Sequence, residues 1–216
     1  MDDGLAGAGG GRMKPSARQG GFTTVARLIL ASASPRRRSL LKMLGLEFEV
    51  EAAAVDESPR PGETPAHFVR RLAAEKGAAI AGQEPDAAVL AADTVVVVDG
   101  DLLGKPRDEV EAVEMLKRLS GRAHEVWTGF SLQQGTGLLS QRAICTQVQF
   151  IDLTEALCRA YVRTGEPLDK AGAYGIQGQG GFLVEKISGS YSNVVGLPLA
   201  EVVTDLLRFH LIAPRS

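Results

Sequence analysis

The sequence predicts an α/β protein, and three features of its 216 residues carry that expectation. Apolar runs of strand length, such as Leu28–Ala31 and Val89–Val98, alternate with stretches whose apolar residues recur at helical spacing. Ser34, Thr64, Asp108 and Thr154 each stand where a side chain can cap a following helix. Asp99-Gly100 and Gly135-Thr136-Gly137 supply turns between strand-like runs.

Composition sets the outer bounds. With 44% apolar and 23% charged residues, the chain has the balance of an ordinary soluble protein and can bury one full core or two closely packed lobes. A net charge of −2 gives no bulk basic field for a nucleic-acid polymer, and 5% aromatic residues leave few stacking platforms for single strands. Cys145 and Cys158 make no disulfide framework and stand in no metal-ligand spacing, so a reducing cytoplasm is the expected compartment. No apolar run approaches the roughly 20 residues of a membrane span, and the N-terminus lacks the apolar core of a signal peptide. Residues 1–26 are expected to be a disordered leader, Gly-rich at its start, with a folded domain over 27–212 and a tail over 213–216.

Taken in order, the first strand Leu28–Ala31 runs through Ser32-Ala33-Ser34-Pro35 into Arg36, Arg37 and Arg38. Ser34 caps a helix, Pro35 suits its first position, Leu40, Leu41 and Leu44 form its apolar stripe, and Gly45 ends it. Cations in a first turn oppose the helix dipole, so three arginines there point to an anion, most naturally a phosphate, with a solvated basic turn as the alternative. Glu47 to Val55 reads as a strand delivering Asp56 and Glu57 to a Pro-rich loop. Thr64 caps a helix reaching about Gly82, with Phe68, Leu72, Ala73, Ala79 and Ile80 on its apolar face. Lys76 lies inside that stripe, either snorkelling or emerging into a cleft to hold a phosphate or carboxylate.

Val89-Leu90-Ala91-Ala92 has the pattern of a strand covered on both faces, and it delivers Asp93 and Thr94 before the β-branched run Val95–Val98. A carboxylate inside such a run requires a cation, a metal or a proton, which makes Asp93 the strongest catalytic candidate; a structurally paired aspartate is the alternative. The hairpin at Asp99-Gly100 returns to Lys105, placed to meet the same cleft or to sit on the surface. Asp108 caps a helix to Leu119, strands run from His124 to Leu132 and back through Phe150, and Thr154 caps a helix with Leu157, Ala160 and Tyr161 on one face. His124 has no partner at metal spacing and reads as structural. The glycine-dense segment Asp169–Gly181 allows close backbone approach to a ligand, but it has neither the dinucleotide-binding nor the Walker spacing. Gln177 within it offers an amide donor and acceptor suited to a base edge, the alternative being a solvated loop glutamine. A strand over Phe182–Ile187 and a final helix from Pro198 complete the chain.

Ser32-Ala33-Ser34-Pro35-Arg36-Arg37, Ala92-Asp93-Thr94-Val95, Gly104-Lys105-Pro106-Arg107-Asp108 and Asp169-Lys170-Ala171-Gly172-Ala173-Tyr174-Gly175-Ile176-Gln177-Gly178 together resemble the Maf family of nucleoside triphosphate pyrophosphatases, in order from about Leu28 to Leu207. The resemblance implies an elongated mixed β-sheet flanked by helices, with a cleft between two lobes, related to the inosine triphosphatase architecture. It implies hydrolysis of a nucleoside triphosphate to the monophosphate and pyrophosphate with a divalent metal, Mg²⁺ or Mn²⁺, and a homodimer.

Carried over residue by residue, Asp93 matches the catalytic proton acceptor, and Arg37, Thr94 and Gln177 match positions that set substrate choice. Ser32, Arg36, Glu57, Lys76 and Lys105 match the remaining cleft residues, with Glu57 and Asp93 as expected metal ligands and Arg38 left to solvent. Ile176-Gln177-Gly178 is similar to the branch acting on dTTP and UTP, whereas a Glu at the Gln177 position would look like the 7-methyl-GTP branch. A nucleotide-binding regulator of cell division without turnover is the alternative from another class. It is disfavoured because Asp93, Lys76 and Lys105 are all present. An enzyme acting on nucleic-acid ends is disfavoured by the net charge of −2.

Overall fold

The computed structural model describes residues 20–216. Of the leader expected over residues 1–26, residues 1–19 lie outside the described residues. Beyond them, Phe22–Thr24 (β1) pairs antiparallel with Ile212–Pro214 (β9), register Thr23 to Ala213, in a small two-stranded sheet. The folded unit therefore takes in residues 22–24 and 213–214, on the far side of the boundaries expected at 26 and 213.

Among the described residues the main sheet is mixed, with seven strands. Leu28–Ala31 (β2) is buried throughout and leads through a tight turn into Pro35–Met43 (α1). The Ser34 hydroxyl accepts from the Arg37 backbone N–H, as the capping pattern requires. Glu49–Val50 (β3) is all that forms of the strand expected over 47–55; from Glu51 to Arg60 the chain has no regular structure. The long helix Pro65–Ala81 (α2) precedes Ala88–Val98 (β4), which pairs through Asp99-Gly100 with Asp101–Leu103 (β5). Glu109–Leu119 (α3), Ala123–Gln134 (β6), Gly137–Phe150 (β7) and Glu155–Val162 (α4) follow. Three short 3₁₀ turns then lead to Val184–Ser188 (β8), Tyr191–Val195 (α5) and Leu199–Arg208 (α6).

Sheet order is β3-β2-β4-β6-β7-β8, with β5 on the edge of β4. β4 organises the molecule. One edge pairs continuously with β6, from Ala88–Gln134 to Val97–Glu125. The other edge changes partner: β2 runs parallel to it as far as Ala31–Ala91, and β5 pairs antiparallel from Val96–Leu103 onward. Between those two partners lies a gap at residues 92–95, and it contains Asp93 and Thr94. A break in strand pairing at which chain direction also changes is where α/β sheets hold ligands.

The core divides on either side of that gap. Leu28, Leu30, Leu41, Leu90, Phe130, Leu132, Val202 and Leu206 pack together around β2 and α6. Val96, Val98, Leu116, Leu119, Phe150, Cys158, Tyr161 and Leu183 pack beneath α3 and α4. The apolar face of α4 is thus Cys158, Tyr161 and Val162, while Leu157 is 39% exposed, a correction to the face expected from spacing. Strand β8 begins at Val184, where a strand from Phe182 was expected, because residues 178–183 are taken up by a 3₁₀ turn.

Helix α2 lies against β6 at unusually short range. A Cβ on Gly129 would meet the Val69 carbonyl oxygen at 2.3 Å, so only glycine permits the approach. Sheet side chains then bond the helix backbone: Ser131 Oγ donates to the Ala73 carbonyl at 2.7 Å and Gln133 Nε2 to the Ala74 carbonyl at 2.8 Å. These contacts fix the turn of α2 that carries Lys76.

Candidate active site

The gap in β4 forms the floor of a cleft of about 600 Å³. Every residue singled out for chemistry in the sequence lines it: Ser32, Arg36, Arg37, Glu57, Lys76, Asp93, Thr94, Lys105 and Gln177. They arrive from separate places. The β2–α1 turn gives Ser32, Arg36 and Arg37, the loop before α2 gives Glu57, α2 gives Lys76, β4 gives Asp93 and Thr94, the segment after β5 gives Lys105, and the glycine-rich segment gives Gln177. Arg38 is not on the cleft wall.

At the floor, Lys76 joins two carboxylates. Its Nζ is 2.7 Å from Asp93 Oδ1 and 2.6 Å from Glu57 Oε1. Lys76 and Asp93 are almost enclosed, with side-chain exposures of 12% and 13%, whereas Glu57 at 59% reaches in from the rim. Lysine inside the apolar stripe of α2 therefore emerges into the cleft instead of snorkelling to outside solvent. Burial alone would raise the Glu57 carboxyl, but the hydrogen bond from Lys76 and the charges of Lys76, Lys105 and Arg37 outweigh it and hold the group below the usual range.

Arg37 is held rather than free. Its Nε donates to the Gly196 carbonyl at 2.7 Å, one terminal nitrogen to Ser32 Oγ at 3.1 Å, and the other to Thr94 Oγ1 at 2.9 Å. Burial lowers its guanidinium from the ordinary value, with the charge of Asp93 acting in the opposite direction. Behind it the hydroxyl protons are ordered. Thr128 Oγ1 donates to the Asn193 carbonyl at 3.0 Å, so its single proton is committed. The 2.9 Å contact between Thr94 Oγ1 and Thr128 Oγ1 must then be donated by Thr94, which leaves Thr94 lone pairs facing Arg37. Asn193 is fully buried and anchors this chain, its amide donating to the Val126 carbonyl and to Thr146 Oγ1, both at 3.0 Å.

The sequence reading missed Thr128, Asn193, Gly196 and Lys170 as members of the site. Lys170 lines the cleft, with Nζ 2.5 Å from the Glu166 carbonyl and 2.6 Å from Asp169 Oδ1. Asp169 in turn lies 3.4 Å from Arg36. The available signal was that Lys170 belongs to the same glycine-rich segment as Gln177. For α5 there was almost none: Ser190 caps it and Gly196 leaves it at φ 118°, but five residues are too few for a periodic pattern. Gln177 is exposed at the cleft mouth and its side chain makes no hydrogen bond to the described residues.

Two carboxylates and several cations in one cleft suit a hard cation and a polyanion. Among the described residues no group of three or more His, Cys, Asp or Glu side chains forms a complete cage. Glu57 and Asp93 nevertheless fit Mg²⁺, which commonly takes only one or two protein carboxylates and completes its shell with water and substrate phosphates.

A protein named dTTP/UTP pyrophosphatase from Desulfotalea psychrophila is 54% identical over 187 residues, covering 86% of this chain and 96% of that protein. One of the same name from Myxococcus xanthus is 53% identical over 188 residues, covering 87% and 94%. Among solved structures, a HAM1 protein from Coxiella burnetii aligns with a TM-score of 0.43 and 16% identity over 58% of this chain and 73% of that one, a likeness too low to add to the fold described above. The family model described as Maf-like protein matches residues 27–209, with the β2–α1 turn, the β4 gap and the glycine-rich segment all inside it, and the chain belongs to the Maf-like protein family.

Proposed function

We propose that this chain hydrolyses nucleoside triphosphates, dTTP and UTP foremost, to the nucleoside monophosphate and pyrophosphate, clearing surplus or modified pyrimidine nucleotides. The observation that carries the reading is the convergence of an enclosed Asp93–Lys76 pair with Arg36, Lys105 and Lys170 on one cleft. The relatives' names supply the reaction.

A nucleoside triphosphate brings close to four negative charges. Arg36, Lys105 and Lys170 clamp its phosphates, and Lys76 adds charge at the floor to offset what develops on the leaving pyrophosphate. Asp93 orients the attacking water and takes its proton. Arg37, tied to Ser32, Thr94 and Gly196, is a fixed cationic wall that shapes the space available to the nucleotide. Gln177 offers its amide to the donor and acceptor edge shared by thymine and uracil. A divalent cation, held by Glu57 and Asp93, would neutralise phosphate charge and make bound water more acidic.

Free Cys145 and Cys158 suit a reducing cytoplasm, and among the described residues no helix is long and apolar enough to cross a membrane. The homodimer is part of the same proposal and is read by light scattering of the purified protein. The activity is tested with Mg²⁺ against dTTP, UTP, CTP and 7-methyl-GTP, with products separated by chromatography. Pyrophosphate and monophosphate from dTTP and UTP are expected. Turnover of 7-methyl-GTP alone would move the chain to another branch of the family, and binding without turnover would favour the regulator.

A further inference from the structure

Gln177 stands in a segment that by composition should hold no fixed shape, since Gly175, Gly178, Gly180 and Gly181 surround it. Each glycine adds backbone freedom that must be removed before an amide can be presented to a base in one orientation. The structure removes it from outside the segment. Glu166 Oε2 accepts from the Gln179 backbone N–H at 3.0 Å, and Glu166 Oε1 accepts from the Gly180 N–H at 3.1 Å and from the Tyr161 hydroxyl at 2.9 Å. The Tyr161 oxygen accepts in turn from the Gly175 N–H at 3.1 Å. Backbone donors on both sides of Gln177 are thus gathered by one carboxylate and one phenol.

The fit is close. A Cβ at Gly178 would stand 2.8 Å from Glu166 Oε2, and one at Gly180 would stand 2.4 Å from the Tyr161 oxygen. The Phe182 ring meets the Tyr161 ring edge-on at 6.0 Å. Burial opposes ionisation of Glu166, but the N–H groups of Gln179 and Gly180, the Tyr161 hydroxyl and the nearby Lys170 outweigh it and hold the carboxyl below its ordinary range.

We infer that Glu166, acting with Tyr161, is a positioning residue for base selection: Glu166 bonds the backbone after Gln177, at Gln179 and Gly180, and Tyr161 bonds it before Gln177, at Gly175, so that the Gln177 amide meets the base in one orientation. The inference rests on the base-reading role proposed for Gln177. A carboxylate is needed because its two oxygens accept all three bonds. In Glu166→Gln the side-chain NH₂ confronts a backbone N–H, and one donor is orphaned.

The test compares kcat/KM for dTTP and dCTP, whose bases differ on the edge Gln177 would read, in wild type, Glu166→Gln, Tyr161→Phe and Gln177→Ala. Glu166→Gln is expected to lower the dTTP preference by about tenfold, chiefly through KM for dTTP, with kcat within about threefold, and to speed hydrogen exchange at Gln179 and Gly180. Tyr161→Phe, which keeps the ring, is expected to give a smaller loss in the same direction and serves alone if Glu166→Gln does not fold. Loss of preference in Gln177→Ala without loss in either bracket variant would overturn this inference and leave the Gln177 reading standing. An unchanged preference in Gln177→Ala would overturn both.

Discussion

Replacing Lys76 by Met removes the ammonium shared by Asp93 and Glu57 while keeping most of the side-chain volume. Asp93, 13% exposed, then loses a partner at 2.7 Å and faces the second carboxylate. Breaking a fully buried pair from one side costs roughly 3–5 kcal/mol. The cleft admits water, and Glu57 is largely exposed, so about 2 kcal/mol is the appropriate expectation here. Because the cost comes from a stranded charge, it should shrink when that charge is removed. Asp93→Asn in the Lys76→Met background should therefore recover about 1 kcal/mol, a coupling measurable by urea unfolding at pH 7 across the four members of the double-mutant cycle. Additivity within about 0.5 kcal/mol would mean that cleft water already satisfies Asp93, and the argument from an enclosed carboxylate would fail.

The ordered hydroxyl chain behind Arg37 gives a second expectation: Thr128→Val deprives Thr94 of its acceptor and should raise KM for dTTP severalfold, whereas Thr128→Ser keeps the bond and the activity; equal behaviour of the two would refute the chain. Gly129→Ala drives a Cβ against the backbone of Val69 and Arg70 and should cost about 3 kcal/mol with loss of turnover, since α2 carries Lys76. A fully stable variant would show that the helix can retreat freely. His124, 3% exposed and bonded through Nε2 to the Tyr174 hydroxyl at 2.8 Å, is depressed to about 4 by burial. The unfolded chain therefore binds that proton first as pH falls from about 6.5, and roughly 3 kcal/mol of stability is lost by pH 4. His124→Gln should flatten the urea-unfolding profile between pH 6.5 and 4, and an unchanged slope would assign the loss to other groups.

Helices and caps were legible in the sequence because each signal is local. Ser34, Thr64, Asp108 and Thr154 all cap the helices they precede, and Gly45 turns the chain at φ 85°. The site was legible where one residue broke a pattern, as with Asp93 in an apolar strand and Lys76 in an apolar stripe. What stayed hidden depends on distant pairing. That β4 exchanges β2 for β5 around residues 92–95, that β1 closes on β9 from the other end of the chain, and that Thr128 and Asn193 stand behind Arg37 are consequences of register, which no short window contains. The stretch over 47–55 shows the opposite error: its alternation yields only Glu49–Val50, because β3 finds a partner in β2 at Ile29 and Leu30 alone.

In the proposed reaction, Asp93 and its neighbours direct water to the α-phosphorus of a nucleoside triphosphate. Hydrolysis of dTTP in ¹⁸O-labelled water, with products resolved by mass spectrometry, tests it directly. Label confined to the monophosphate, with unlabelled pyrophosphate released in equal amount and the reaction lost in Asp93→Asn, is the expected result. Label in pyrophosphate, release of orthophosphate, or full activity of Asp93→Asn would contradict it.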